Sequence, residues 1–152
     1  EQLRCGIVGI CHVGTEVLRR FRALGCVTLA CDPPRQESGD PLASDFEDLS
    51  ALRACDVVSV HVPLNSSGRH ATAGLIDGAF LRALPRGALL INTSRGGVFN
   101  ERDASRILTA RKDIRLVLDV FAGEPSADPS LVSVTDLITP HIAGYSIPSV
   151  DH

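Results

Sequence analysis

Short runs rich in Val, Ile and Leu alternate along the chain with longer segments in which apolar residues recur every three or four positions. Continuous apolar runs suit strands buried on both faces, and their alternation with helix-length segments predicts βαβ units around a parallel sheet. The first strand is expected over residues 4–10. The helix after it is expected over 13–24, where Val17, Leu18, Phe21 and Leu24 share one face, with Gly25 as its stop. A second strand over 27–31 ends at Asp32-Pro33-Pro34, since proline removes a ladder donor. A polar loop is expected from there to Ser44.

A helix over 46–54, with Leu49 and Leu52 inward, leads to a third strand over 57–62 that Pro63 ends. Residues 64–72 read as loop and 77–84 as helix, and Pro85-Arg86-Gly87 breaks the chain before a fourth strand over 88–92. A helix over 101–110, a fifth strand over 115–120 and a short sixth at Leu137 and Ile138 complete the pattern. With no internal repeat, low-complexity tract or linker, the expectation is one α/β domain. Its doubly wound parallel sheet has six strands in the order 3-2-1-4-5-6, right-handed crossovers and helices on both faces.

Composition narrows the functions open to such a fold. At 152 residues the chain is one domain long, and 44% hydrophobic residues can fill one core. A net charge of -3 with scattered arginines gives no footprint for nucleic acid, so small-molecule partners are expected. No apolar run approaches the roughly 18 residues of a membrane span, and Glu1-Gln2-Leu3-Arg4 does not open a signal peptide. A cytoplasmic protein is therefore expected. The five cysteines include no C-x-x-C pair, so neither a disulfide framework nor a metal site is suggested. The chain holds no Met and opens almost directly on an apolar strand, from which a piece of a longer polypeptide is expected.

In a doubly wound sheet, ligands bind beyond the carboxyl ends of the strands. The first such end reads Gly9-Ile10-Cys11-His12-Val13-Gly14, a G-x-G-x-x-G turn with Cys11 at the second glycine. The turn places the backbone of Cys11, His12 and Val13 at a helix N-terminus, where free N–H groups and the helix dipole favour a pyrophosphate. Without a ligand, the same residues would make an ordinary strand-to-helix turn. Asp32 stands 18 residues past Gly14, at the end of the second strand, where a carboxylate can accept from both ribose hydroxyls. That position favours NAD over NADP, although Arg35 is close by and an Asx turn before Pro33 would also use Asp32. Pro63 ends the third strand at the same edge.

The fourth strand ends in Asn92-Thr93-Ser94-Arg95-Gly96-Gly97, and its guanidinium could hold a carboxylate with two parallel hydrogen bonds. The fifth ends at Asp119, with Glu124 shortly after, and the sixth leads into Thr139-Pro140-His141-Ile142-Ala143-Gly144-Tyr145. Arg95, Glu124 and His141 could converge as anion clamp, orienting carboxylate and acid/base. Spacing alone equally allows three unrelated polar loop residues.

At these segments the sequence resembles the NAD-binding domain of the D-2-hydroxyacid dehydrogenases, over nearly its whole length. The resemblance implies a Rossmann domain that binds NAD through Gly9, Cys11, His12, Val13, Gly14, Asp32, Pro63, Ser94, Asp119 and Gly144, with Asp119 facing the nicotinamide carboxamide. It also implies that Arg95 binds the substrate carboxylate, that His141 exchanges the hydroxyl proton and that Glu124 orients His141. A phosphorylated 2-hydroxy acid as substrate, a homodimer for the full-length protein and a separate substrate domain outside this chain come with it. Cys11 departs from the family pattern, and so does Asn100, which stands where Asp is usual. A non-catalytic or engineered NAD(H)-binding module that keeps these residues is the alternative.

Overall fold

The computed structural model describes residues 2–41 and 46–144. Its frame is a six-stranded, all-parallel sheet in the order β2-β1-β3-β4-β5-β6. The strands are β1 (Arg4–Val8), β2 (Val27–Cys31), β3 (Val57–Val60), β4 (Leu89–Asn92), β5 (Arg115–Leu118) and β6 (Leu137–Ile138). The helices are α1 (His12–Ala23), α2 (Pro33–Glu37), α3 (Gly78–Ala83), α4 (Glu101–Ala110) and α5 (Pro129–Val132), joined by 3-10 turns over Leu49–Ala54 and Gly96–Val98. Among the described residues no helix is long and apolar enough to cross a membrane.

The doubly wound class is as expected, but the strand order is not. The order 3-2-1-4-5-6 would put residues 57–62 outside β2, whereas residues 57–60 pair with the opposite flank of β1. Among the described residues, the place outside β2 holds Phe46, which bridges Ala30 in parallel and is followed by the bond from Glu47 N–H to the Ala30 carbonyl at 2.7 Å. Glu47 and Asp48 are charged and exposed, so nothing apolar extends that ladder on the carboxyl side of Phe46. Phe46 is therefore a bridge to β2 rather than the start of a helix, and the helical turns begin only at Leu49.

A second difference lies at Asp32-Pro33-Pro34, expected as loop. Proline at the first helical position loses no hydrogen bond and has the right φ, and the Asp32 carboxylate caps the turn by accepting from Arg35 N–H at 3.1 Å. The result is α2. Ser44, the expected end of the loop, lies outside the described residues.

Alternate side chains of the strands fill two cores. Ile7, Ile10 and Ala30 pack with Leu18 and Phe46 on the α1 face. Val8, Val58, Leu90 and Leu116 join Leu52, Phe80 and Leu131 on the other. Because β1 has β2 on one side and β3 on the other, the chain winds in opposite directions from it, and a crevice opens beyond the ends of β1 and β3.

The approach of α1 to β1 depends on Gly14. A Cβ there would stand 2.0 Å from the Gly9 carbonyl oxygen, so the turn must shift to admit one. Gly14→Ala is accordingly expected to cost about 3 kcal/mol, the upper end of overpacking penalties. Gly25→Ala is the comparison. Gly25 has φ +80°, and among the described residues no atom beyond its chain neighbours lies within 4 Å of a built Cβ, so only the left-handed penalty of about 1–2 kcal/mol applies. Urea unfolding of both variants measures the difference, and equal losses would show that the close approach at Gly14 is not a constraint.

Candidate active site

The turn after β1 is built around two fixed points. Gly9, at φ +87°, donates its N–H to the Cys31 carbonyl at 2.8 Å, and Ile10 donates its N–H to Asp32 Oδ2 at 2.7 Å. Asp32 thus forms the Asx-type cap on α2 and also ties the end of β2 to the glycine turn. Cys11, where glycine was expected, has φ −68°, an ordinary conformation for a side-chain-bearing residue. Its thiol donates to the His61 carbonyl at 3.3 Å and makes no capping bond to α1, so the first amides of that helix, from His12 to Gly14, are left uncapped by it. His12 and Val13 are exposed and Gly14 is buried.

Beside this turn lies a cavity of about 540 Å³, walled by Asp32, Pro33 and Arg35 on one side and by His61, Pro63 and Asn65 on the other. The loop after β3 is pinned by Thr72, whose hydroxyl donates to the Pro63 carbonyl and accepts from Asn65 N–H at 2.7 Å. His61 bonds Ser59 Oγ through Nε2 at 2.8 Å, and burial pushes its pKa down. A cavity of this size at the switch point, with a carboxylate at its edge and beside it a helix N-terminus that no side chain among the described residues caps, fits an adenosine and the pyrophosphate that follows.

At the end of β4 the organiser is Asn92, fully buried, which sequence reasoning passed over. Its Oδ1 accepts from both N–H and Oγ of Ser94, at 3.0 and 2.7 Å, and its Nδ2 donates to the Arg95 carbonyl at 2.9 Å. Ser94 is buried and Arg95 exposed. The guanidinium donates to the Ser94 carbonyl at 2.6 Å and forms no salt bridge among the described residues, so it is available to a carboxylate. Gly96 then packs against the next loop, with a built Cβ only 2.0 Å from the Phe121 carbonyl carbon. That contact brings the Arg95 and Glu124 loops together.

The third part hangs on Asp119, 3% exposed. Its Oδ1 accepts from the Thr139 hydroxyl at 2.5 Å and Ile142 N–H at 2.9 Å, its Oδ2 accepts from Ala143 N–H at 3.0 Å, and its backbone carbonyl accepts from His141 N–H at 2.8 Å. The carboxylate expected to face a cofactor carboxamide therefore also staples the loop that carries His141. Held this way, His141 takes φ +56°, a left-handed conformation uncommon for any residue but glycine. Its Nδ1 meets Glu124 Oε2 at 2.8 Å, while Glu124 Oε1 accepts from Phe121 N–H at 3.1 Å. The bond to His141 holds the Glu124 carboxyl below the usual carboxylate range. Glu101, also missed in the sequence, accepts from Ala122 N–H, and burial raises its pKa. Gly144 is the last described residue here. Tyr145 lies outside the described residues.

Burial pushes the Asp119 carboxyl up, but the Thr139 hydroxyl, the Ala143 and Ile142 amides and the charge of His141 outweigh it, leaving a lowered pKa. A pKa lower in the folded than the unfolded chain gives stability that is present above the unfolded value and lost as pH falls through the folded one. Asp119→Asn should therefore cost about 1–3 kcal/mol at pH 7. Its deficit against the parent should shrink as pH drops below about 4. Urea unfolding at several pH values reads this, and a pH-independent deficit would mean that the charge on Asp119 does not hold the loop.

The chain matches the family described as "D-isomer specific 2-hydroxyacid dehydrogenase, NAD binding domain" over residues 1–143. It is 46% identical over 143 residues to the erythronate-4-phosphate dehydrogenase of Edwardsiella ictaluri, covering 93% of this chain and 38% of that protein. With the erythronate-4-phosphate dehydrogenase of Pseudomonas syringae pv. tomato the identity is 44% over 149 residues, covering 97% and 38%. The chain thus spans well under half the length of these relatives. Among solved structures, the D-lactate dehydrogenase of Aquifex aeolicus complexed with NAD and lactic acid superposes with a TM-score of 0.81 at 26% identity, covering 98% of this chain and 49% of that one. The NAD-complexed D-isomer specific 2-hydroxyacid dehydrogenase of Lactobacillus delbrueckii ssp. bulgaricus gives 0.80 at 27% identity, covering 97% and 48%. The chain belongs to the NAD-binding domain family of the D-isomer specific 2-hydroxyacid dehydrogenases.

Proposed function

We propose that this chain is the cofactor-binding half of an NAD-dependent D-2-hydroxyacid dehydrogenase that oxidises 4-phospho-D-erythronate at C2, a step toward pyridoxal phosphate. The observation that carries the reading is the Glu124–His141 pair at 2.8 Å on the same sheet edge as the exposed Arg95. The names of the curated relatives support the choice of substrate. A substrate domain elsewhere in the polypeptide, a cytoplasmic location and a homodimer belong to the same proposal.

On this reading the uncapped amides from His12 to Gly14, with Gly9 and Cys11, receive the pyrophosphate, and Asp32 receives the ribose. Pro63 borders the adenosine cavity, while Ser94, Asp119 and Gly144 border the nicotinamide. When bound, the nicotinamide supplies the hydride acceptor. Arg95 holds the substrate carboxylate by a two-pronged hydrogen bond and fixes C2 in place. The Glu124 carboxylate accepts a hydrogen bond from Nδ1–H of His141, which leaves unprotonated Nε2 as the base that takes the C2 hydroxyl proton. As the imidazolium forms, Glu124 stabilises its charge. In the reverse direction the same Nε2 returns the proton to the 2-oxo group.

The test is turnover of the full polypeptide carrying this domain. His141→Ala should lower it by about 10²–10⁴-fold, the usual share of general acid-base catalysis, with NAD affinity nearly unchanged. Arg95→Ala should behave likewise, and Glu124→Gln should lose less, because the amide still accepts one hydrogen bond. Near-parent activity of the His141 variant would overturn the assignment and favour a non-catalytic NAD(H)-binding module.

A further inference from the structure

Three residues beyond Asp32, and lining the same cavity, stands a cation to which the reading above gives no task. All three nitrogens of the Arg35 guanidinium are engaged. Nε and Nη2 donate to Asp40 Oδ2 at 2.9 and 2.5 Å, and Nη1 donates to the Ile10 carbonyl and lies 3.5 Å from the Thr15 hydroxyl. The guanidinium carbon is 6.0 Å from the centroid of the Phe46 ring, the residue that edges β2. The Arg35 side chain is 32% exposed and that of Asp40 16%, so this ion pair is partly withdrawn from solvent screening.

Ile10 is the second residue of the Gly9–Gly14 turn. Its N–H donates to Asp32 at 2.7 Å and its carbonyl accepts from Arg35, so both of its backbone polar groups are gripped by charged side chains. The two grips are linked, because Arg35 N–H itself donates to the other oxygen of Asp32 at 3.1 Å. A turn that carries Cys11 in place of its second glycine is in this way fixed through the peptide groups just before it.

We propose that Asp40 sets the choice between NAD and NADP by anchoring Arg35 on the Ile10 carbonyl, so that the guanidinium positions the dinucleotide turn instead of meeting a ribose 2′-phosphate beside Asp32. The inference rests on the NAD reading of the site. An arginine recognises phosphate with a free edge of two parallel N–H donors, and Arg35 can present one only by leaving Asp40 and Ile10. While Asp40 holds it, a 2′-phosphate meets the Asp32 carboxylate without compensation.

Calorimetric titration of the full polypeptide with NAD⁺ and NADP⁺ tests this. Asp40→Asn removes the anchoring charge and should lower the preference for NAD⁺ by about tenfold, mainly through tighter NADP⁺ binding. Arg35→Gln should weaken NAD⁺ binding, and the double variant should show no gain in NADP⁺ affinity, because the released cation is gone. Glu47→Gln makes the same change of charge at an exposed carboxylate beside Phe46 and should leave the preference unmoved. An unchanged preference in Asp40→Asn, a gain that survives in the double variant, or an equal gain from Glu47→Gln would each overturn the role of Asp40. A parent that binds neither dinucleotide would instead overturn the cofactor reading on which the proposal stands.

Discussion

A buried carboxylate is tolerated only where hydrogen bonds replace the water it has lost, and in this fold the replacement donors at Asp119 are the loop that carries His141. The constraint works in both directions. Without the amides of Ile142 and Ala143 the anion would keep only the Thr139 hydroxyl, and without the anion the loop would keep the backbone bond from His141 N–H to the Asp119 carbonyl but lose the ties on its far side, where His141 stands at a positive φ with its ring on Glu124. The conformational cost at His141, about 1–2 kcal/mol for a side-chain-bearing residue, is offset by charge-assisted bonds that each exceed an ordinary hydrogen bond.

The same device recurs along the carboxyl edge of the sheet. Asp32 follows β2 and takes the Ile10 amide of the glycine turn; Asn92 ends β4 and takes Ser94 while giving to Arg95; Asp119 follows β5 and takes the loop after β6. In each case a short polar side chain at a strand end fixes a segment from a loop, so loop geometry is inherited from the rigid ladder behind it. The dinucleotide turn and the Arg95, Glu124 and His141 group are therefore parts of one rigid edge. On the proposed function, that suits a reaction whose barrier falls mainly through placement and preorganised charge.

Much of this was legible in the sequence. The strands were readable because a parallel sheet buried on both faces demands continuous apolar runs, and Arg95, Glu124 and His141 were readable as charged or titratable groups just past such runs. The strand order was not, because among the described residues the position outside β2 is held by Phe46, and an apolar residue between Asp45 and Glu47 carries no periodic signal. Nor was α2, since two prolines read as breakers when Asp32 in front of them makes a helix start. The supporting contacts of Asn92, Glu101 and Arg35 were invisible for another reason. Each depends on which backbone group a loop presents, and that is decided by tertiary packing.

On the proposed function, one edge of this sheet holds both the dinucleotide and the reacting groups. Amide chemical-shift mapping of the chain during titration with NAD⁺ decides whether it does. Saturable shifts should concentrate at residues 9–14 and Asp32, and at the Ser94–Arg95 and 141–144 segments. Shifts confined to the hollow between α4 and α5 lined by Lys112, Ser133 and Asp136, or an absence of saturable shifts, would contradict it.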